Sequence, residues 1–510
     1  MITFDLAYAQ RLLLLLFGLR RRCALAALAA LSVACSAPPR ATPAPGAPPL
    51  APAAAPRPAC PLAERGADGL TPLERGLRAA LVEARFDQVI DFGPEAEEAC
   101  PKQGPCPSAP LARLPNVDLA VIAFPAGCPP AGASVLLSAD FPDGRVNAVD
   151  PATGQVTGVR FRRWDIHRWN RGAAGPNGGR SWSRDPPLTD ADDIVPGSTG
   201  VDFHLPYPAS NFKLLVATQA LRLVDRGALA LDEVILYEGA GWPLRDWMDS
   251  MITRSDNTST RAILRKLHQL GAMDPLNSLF AGLGLPTLQI HGTSPEDGGT
   301  WNPGSFHMGA WDTARLLWLL DPDAPRPSWQ APAGSRRPPG TSPDRPTPPP
   351  GPVDPDFLSP ASRALLLGLL REQSFHEALS TTALCGLSAI TPGIPALLPT
   401  RWIAADGSVT LDGLRRAQDA RPCNASAEVL FAHKTGLTLN YGSDAGIVTG
   451  LPGRARRHYI LALFTNLGYR YADAERAGGP LPCLTEGVCY TQRIPALGAR
   501  IDAMLRGWLE

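Results

Sequence analysis

Apolar residues recur at helical spacing through the middle of the chain. In residues 210–227 the apolar side chains lie mostly three or four positions apart, so that they line one face of a helix. The same pattern predicts further helices over residues 72–86, 257–270, 275–282, 309–320, 359–374 and 494–509.

Short strand patterns lie on both sides of this helical region. They are bounded by turn-forming residues, among them a turn over residues 142–145 and two tight turns that begin at Asn440 and Leu451. The predicted strands cover residues 133–139, 146–149, 429–433, 443–449 and 458–465. The last three read as an antiparallel meander. Strands at both ends with helices between them predict an α+β fold, in which N- and C-terminal strands form one antiparallel sheet beside a helical lobe.

Two segments lack any such pattern. Residues 36–58 are rich in Pro and Ala and are expected to form an extended tether. Residues 322–355 contain 13 Pro and no apolar period, which is typical of a disordered or polyproline insertion outside the core. We therefore expect a Cys- and Pro-rich N-terminal extension over 59–130 and one domain over 131–510 that contains the insertion.

The charge balance excludes one class of function. Basic and acidic residues number 48 each, so the 510-residue chain has no basic excess of the kind that nucleic-acid binding requires. The basic residues are nearly all Arg, with 4 Lys at Lys102, Lys213, Lys266 and Lys434. A Lys in this chain is therefore a candidate for chemistry that Arg cannot perform.

The N-terminus is typical of an export signal. Three Arg at 20–22 precede an apolar run over 24–34 that is too short to span a bilayer, and Cys35 follows it. The segment Leu31-Ser-Val-Ala-Cys35 resembles a bacterial lipobox, in which the Cys is lipidated. Residues 1–35 are thus predicted to be a signal peptide, with Cys35 a lipid attachment site, and the alternatives are plain cleavage near Ala34 or an uncleaved anchor. We expect an exported protein of the periplasm or cell envelope.

The cysteines agree with export. Apart from Cys23 and Cys35 there are eight, an even number that in an exported chain indicates disulfides. Their pairing is open among 105 connectivities, and the local candidates are Cys100 with Cys106 and Cys483 with Cys489. A zinc site is the competing interpretation, but no CxxC or HExxH motif is present. We expect no metal and no cofactor.

The first chemical motif is Ser210-Asn-Phe-Lys213 at the start of a predicted helix. Residues i and i+3 share a helix face, so the hydroxyl and the amine meet. A nearby amine that gives up its proton activates a serine, and a guanidinium cannot do so because it stays charged. Taken alone, the motif is equally typical of an exposed capping serine with a solvated lysine.

Two more motifs follow in order. Ser255-Asp-Asn257 precedes the helix predicted from 257, where the plain interpretation is an N-cap. His433-Lys434-Thr435-Gly436 ends a predicted strand, where Gly436 would allow a substrate to approach the backbone. The ordered trio S-x-x-K, S-D-N, K-T-G is the signature of class A β-lactamases and penicillin-binding proteins.

The chain therefore resembles the class A-like serine β-lactamases and the penicillin-binding D-alanyl-D-alanine peptidases, over roughly residues 133–509. The resemblance implies that Ser210 is the acylated nucleophile, Lys213 its base or proton relay, and Ser255 the donor to the leaving nitrogen. It further implies substrate binding by Asn257, Lys434, Thr435 and Gly436, and an oxyanion hole formed by the backbone N–H groups of Ser210 and Leu437.

The chain departs from this pattern at deacylation. Class A enzymes carry a Glu-x-x-Leu-Asn segment whose Glu activates water, and that segment is absent here. Glu296 is the one Glu of the matching loop, so it is either the deacylating base or an exposed acid. Insertions such as Tyr237–Asp246 and Trp402–Cys423 are expected to shape the pocket.

Three functions are consistent with these residues. The leading hypothesis is a monomeric serine hydrolase that opens the β-lactam amide through an acyl-enzyme on Ser210. The second is a peptidoglycan DD-carboxypeptidase or esterase of the penicillin-binding type with slow deacylation, whose substrate is a D-Ala-D-Ala-like peptide. The third is a non-catalytic cell-envelope binding module.

Overall fold

The computed structural model describes residues 60, 62, 64–93, 100, 101, 104–111, 113–163, 188–331, 351–353, 356–387, 390–481, 483 and 490–509. The chain divides into two units, Met1–Arg57 and Pro58–Glu510, and the described residues all belong to the second. The predicted signal peptide, tether and Cys35 lie outside the described residues. Within the described part, no helix is long and apolar enough to cross a membrane.

The described helices and strands are these. The helices are α1 (Pro72–Glu83), α2 (Lys213–Asp225), α3 (Leu244–Thr253), α4 (Asn257–Gln269), α5 (Asp274–Gly282), α6 (Ala310–Leu320), α7 (Pro360–Arg371), α8 (Arg421–Ala425) and α9 (Arg493–Leu509). The strands are β1 (Val89–Asp91), β2 (Ala109–Pro110), β3 (Val117–Ala123), β4 (Ala131–Ser138), β5 (Phe141–Val146), β6 (Ala148–Val149), β7 (Val156–Thr157), β8 (Val159–Arg162), β9 (Val201–His204), β10 (Val234–Tyr237), β11 (Ala240–Pro243), β12 (Gln289–Ile290), β13 (Phe306–His307), β14 (Gln330–Ala331), β15 (Gly351–Pro352), β16 (Val409–Leu411), β17 (Leu414–Ala417), β18 (Val429–Leu437), β19 (Gly442–Gly450), β20 (His458–Thr465) and β21 (Tyr471–Asp473).

The main sheet has six antiparallel strands in the order β18-β19-β20-β3-β4-β5. Strand β20 pairs with β3, so that the C-terminal meander joins the N-terminal strands in one sheet. The α+β prediction, with a single sheet built from both ends of the chain, is confirmed.

Two hydrophobic cores lie against this sheet. One contains buried residues of α1 and α9 together with those of β3, β4 and β20. The other contains buried residues of α2 to α7 together with alternate residues of β3 and β20, and it forms the helical lobe. Burial of this kind stabilises a fold by roughly 25 cal/mol per Å² of apolar surface. Because a hydrophobic core packs on each face of the main sheet, residues of its edge strand β18 are firmly supported.

The predicted helices are confirmed, with ends that differ by a few residues, whereas a central strand of the main sheet was missed. Strand β3 lies inside the sheet, within the segment 59–130 that the sequence analysis assigns to an N-terminal extension. All seven of its residues are buried, so it shows no polar–apolar alternation to mark it as a strand. The helix α1 of the same segment packs on β4, β5 and α9.

Two other local predictions were wrong. Residues 142–145 belong to strand β5, and the turn that precedes this strand occupies residues 139 and 140. The Pro-rich insertion is not wholly outside the core, because its two ends pair as β14 and β15. Trp329 and Val353 are only 4% exposed, and the Trp329 indole donates to Leu283 O at 3.2 Å. Residues 332–350 lie outside the described residues.

Disulfides join Cys60 to Cys128, Cys100 to Cys106 and Cys385 to Cys423. The predicted pair Cys100–Cys106 is confirmed. Cys483 is also disulfide-bonded, and its predicted partner Cys489 lies outside the described residues.

Candidate active site

The first motif spans a 3₁₀ turn and a helix start. Ser210 lies in the turn Ala209–Phe212, and Lys213 is the first residue of α2. Phe212 fixes this junction, because its ring stacks on Phe306 at 3.8 Å and meets Trp301 edge-on at 4.9 Å. The junction places Lys213 Nζ 2.9 Å from Ser210 Oγ, so the predicted meeting of hydroxyl and amine is present.

The second motif connects α3 and α4. Asp256 caps α4, since its carboxylate accepts from Ser259 N at 2.7 Å. Ser255 has φ of 58°, a left-handed conformation that costs a non-glycine residue about 1 kcal/mol or more. This strained turn directs Ser255 and Asn257 toward Lys213. Lys213 Nζ lies 2.7 Å from Asn257 Oδ1 and 3.3 Å from Ser255 Oγ, and it also donates to the Ser255 carbonyl.

The contacts of Lys213 fit a neutral amine. Asn257 Oδ1 and the Ser255 carbonyl accept hydrogen bonds and cannot donate them, so they take two N–H groups. A neutral amine then has one lone pair left, and the Ser210 hydroxyl is positioned to donate to it. The side chain is fully buried. Burial holds the pKa of Lys213 well below its usual value, the Lys434 charge lowers it further, and Asp256 opposes both.

The third motif lies within β18 rather than at the strand end predicted from sequence, because β18 continues to Leu437. Lys434 is buried, and its Nζ donates to Ser255 Oγ at 2.9 Å and to Thr435 O at 2.7 Å. Burial lowers the pKa of Lys434 to about 7, although Asp444 opposes the shift. Ser255 Oγ therefore accepts from Lys434 and lies 3.3 Å from Lys213 Nζ, between the two lysines.

Gly436 allows strand β18 to approach the backbone at Ser210 closely. A Cβ atom at this position would lie 2.4 Å from Pro208 O and 2.8 Å from Ser210 N. The end of β18, where Leu437 follows Gly436, is therefore adjacent to the Ser210 amide. The fold brings together the two residues whose N–H groups the resemblance assigns to an oxyanion hole.

Sequence reasoning missed two residues that hold this arrangement. Ser443 Oγ donates to Pro208 O at 2.7 Å and accepts from Asn211 Nδ2 at 2.8 Å. Asn211 and Ser443 are buried, and they connect the turn that contains Ser210 to the main sheet. Asn211 stood inside the first motif, but its partner lies 232 residues away and no local pattern connects the two.

A buried histidine supports β18 beside the motif lysine. His433 Nδ1 lies 2.7 Å from Asp444 Oδ1, and Phe431 stacks on the His433 ring at 4.1 Å. Asp444 also accepts from Leu379 N at 3.2 Å. Burial lowers the pKa of His433, with Lys434 adding to the effect, so His433 is a neutral structural partner of Asp444.

Glu296 is not brought into this cluster. Its side chain is exposed, and its carboxylate accepts from Ser294 Oγ at 2.6 Å in the same loop. This hydrogen bond is the main reason that the pKa of Glu296 lies below its usual value. Of the two alternatives left open by the sequence, the structure favours the exposed loop acid over a base beside Ser210.

The comparisons with known proteins agree with the motifs. Residues 204–315 match the model of the β-lactamase enzyme family, and this segment contains the first two motifs. No curated protein matches the chain.

Solved structures with similarity to the chain include three β-lactamases. That of Sphaerobacter thermophilus DSM 20745 is 15% identical, with 86% of this chain and 98% of that chain covered and a TM-score of 0.39. That of Chitinophaga pinensis DSM 2588 is 19% identical, covers 60% and 86%, and has a TM-score of 0.35. That of Streptosporangium roseum is 16% identical, covers 60% and 85%, and has a TM-score of 0.35. The family match therefore supports the resemblance to the class A-like serine β-lactamases and penicillin-binding peptidases over residues 204–315.

Proposed function

We propose that this protein is a serine hydrolase that opens the β-lactam amide through an acyl-enzyme on Ser210. The observation that carries the proposal is the position of Lys213, a buried amine that lies 2.9 Å from Ser210 Oγ while two acceptor-only oxygens occupy its N–H groups. A neutral amine in this position is a general base for the hydroxyl.

The acylation step follows from the hydrogen-bond network. Ser210 Oγ attacks the carbonyl carbon as its proton passes to Lys213, and the carbonyl oxygen becomes an oxyanion facing the N–H groups of Ser210 and Leu437. When the C–N bond breaks, the leaving nitrogen takes the proton of Ser255, and Lys213 returns a proton to Ser255. Lys434 and Thr435 bind the substrate carboxylate.

One observation favours the second candidate, a penicillin-binding peptidase with slow deacylation. The exposed Glu296 pairs with Ser294, so the loop that supplies the deacylating Glu in class A enzymes presents no carboxylate to Ser210. Both candidates share the acylation chemistry and differ in the lifetime of the acyl-enzyme.

The third candidate, a non-catalytic module, accounts poorly for the buried lysines. Burying a lysine is unfavourable, because the ammonium either loses its hydration at a cost of several kcal/mol or gives up its proton, and a binding module has no need of two such residues. Lys213 and Lys434 are both 0% exposed, in a chain where other basic positions are almost all Arg.

Turnover and intact mass of the purified protein with a chromogenic cephalosporin test the proposal. Steady colour release supports a β-lactamase, and a stable adduct on Ser210 without turnover supports the peptidase. Ser210→Ala is expected to abolish both signals, while Ser426→Ala, at an exposed serine, retains them. An adduct that persists in Ser210→Ala would refute the mechanism.

We further propose that the protein acts outside the cytoplasm, attached to lipid through Cys35. The disulfides of the described chain support an oxidising compartment. Membrane fractionation with intact mass tests the attachment, because Cys35→Ser is expected to move the protein to the soluble fraction and to remove the mass of the lipid. Equal membrane recovery of both forms would contradict it.

A further inference from the structure

The insertion between α7 and β18 forms a small hairpin with an acid at its tip. Strands β16 and β17 pair so that Leu411 faces Leu414, and the two residues between them make the turn. Asp412 and Gly413 both have positive φ, 50° and 75°, as a two-residue type I′ turn requires. The hairpin therefore presents the Asp412 carboxylate at its apex.

The body of this hairpin is firmly attached to the domain. The disulfide Cys385–Cys423 closes the insertion, and buried apolar residues of β16 and β17 pack with Phe375 and Leu398. Behind the tip, Arg416 pairs with Glu377 at 3.5 Å, and both side chains are nearly fully buried.

A second anchor connects the insertion to the helix that leads into the S-D-N motif. Arg401 forms ion pairs with Asp249 of α3 at 3.1 Å and with Glu372 at 2.9 Å. The Trp402 indole donates to Glu372 O at 2.9 Å. The insertion is thus held beside the C-terminal end of α3, where Ser255 follows.

The tip lies beside the active site. Phe375, which packs with β16 and β17, follows Ser374, whose N and Oγ donate to Thr253 O at 2.9 and 2.7 Å, two residues before Ser255. In this position the Asp412 carboxylate interacts electrostatically with Lys213, Arg254 and Asp256. Partial desolvation raises the pKa of Asp412, whereas Arg416 and Arg254 oppose the shift. Arg254 and Asp256 flank Ser255, the residue that hands a proton to the leaving nitrogen in the proposed mechanism. The half of the substrate that carries the leaving nitrogen therefore passes beside Asp412.

We propose that Asp412 is a specificity-determining residue that favours substrates with a cationic group on the leaving-group half. The proposal rests on the proposed acylation of Ser210 and names a property of its substrate. Arg254 partly offsets the acid, and the tip is open to solvent. The preference is therefore expected to be modest, about three- to fivefold, as for exposed ion pairs worth up to about 1 kcal/mol.

Two cephalosporins test this, because cephaloridine and cephalothin share a thienylacetyl side chain and differ at carbon 3, where one carries pyridinium and the other acetoxy. Their intrinsic reactivities differ, so the measured quantity is the cephaloridine-to-cephalothin ratio of kcat/KM in each variant, divided by the ratio in the wild type. Asp412→Asn is expected to lower the ratio about three- to fivefold, and Asp412→Lys more. Asparagine tolerates the left-handed turn, so the hairpin keeps its shape.

The control is Asp406→Asn, an exposed acid of the same insertion that hydrogen-bonds Ser408, and it is expected to leave the ratio unchanged. The preference of the wild type is also expected to weaken at high ionic strength. An unchanged ratio in Asp412→Asn during normal hydrolysis would overturn the inference. Failure of the wild type to acylate Ser210 would contradict the proposed function instead.

Discussion

Gly436, where β18 meets the nucleophile turn, offers a sharp test of the site geometry. In Gly436→Ala the added Cβ would lie 2.4 Å from Pro208 O, 2.5 Å from Ser443 Oγ and 2.8 Å from Ser210 N, against 3.4 Å for ordinary contact. Two of these neighbours are backbone atoms, which cannot rotate away. The strand and the turn must therefore separate by up to about 1 Å.

Such a displacement widens the oxyanion site between Ser210 and Leu437. A misplacement of about 1 Å in a catalytic arrangement reduces rates by roughly a hundredfold. We expect Gly436→Ala to lower the acylation rate constant by about that factor, measured in single-turnover kinetics with a chromogenic cephalosporin. Lys213 is expected to stay buried and in place.

A loss of activity through unfolding is distinguished by a matched glycine. In Gly450→Ala the added Cβ would lie 2.7 Å from Ala455 O and 3.1 Å from Arg457 N, away from the motif residues, so the clash destabilises the fold without touching the turn that contains Ser210. Urea unfolding is expected to show comparable destabilisation of the two variants, with acylation impaired only in Gly436→Ala. Wild-type acylation by Gly436→Ala would refute the proposed approach of β18 to Ser210.

Three further predictions concern single side chains. First, kcat/KM should rise with pH as Lys213 loses its proton, at a pH well below the usual pKa of lysine, and should fall as Lys434 loses its charge at about pH 7. Lys434→Arg should move this fall in kcat/KM to higher pH. A fall at the same pH in Lys434→Arg would assign it to another group. Second, Ser255→Gly and Ser255→Ala both lose the Ser255 hydroxyl and should be inactive. Thermal unfolding should show Ser255→Gly about 1 kcal/mol more stable than Ser255→Ala, because glycine adopts a φ of 58° without strain. Equal stabilities of the two variants would exclude backbone strain at this position. Third, Glu296→Gln should retain turnover in a steady-state assay, because Glu296 is exposed and bonds Ser294; a large loss would return it to the active site.

The sequence indicated most of the residues that the structure brings together around Ser210, because they lie in short local motifs. Each motif is short, and a lysine stands out in a chain with 48 basic residues of which 44 are Arg. The single sheet from both ends of the chain and its C-terminal meander were inferred because most of the strands have clear patterns and turns. Strand β3 escaped because a strand that is buried on both faces resembles any short apolar run.

The supporting groups could not be found in this way, since only the fold brings them together. Ser443 and Asn211 are hydrogen-bonded although 232 residues separate them in the chain, and Asp412 interacts electrostatically with Lys213 from a separate insertion. Glu296 shows the opposite case. Its place in the loop that matches the class A deacylation segment left a catalytic base open, but position along the chain does not determine which way a loop side chain points.

The proposed acylation mechanism also makes a prediction about deacylation. The acids that interact electrostatically with Lys213 are Asp256, whose carboxylate caps α4, and Asp412 at the hairpin tip. Lys213 is neutral again once the leaving nitrogen has been protonated, so it is the group positioned to activate water. Deacylation, followed by intact mass after excess cephalosporin is removed at a series of pH values, should therefore accelerate as pH rises through the pKa of Lys213. A rate that instead follows the titration of a carboxylic acid, near pH 4 to 5, would show that a carboxylate performs this step and that the lysine does not.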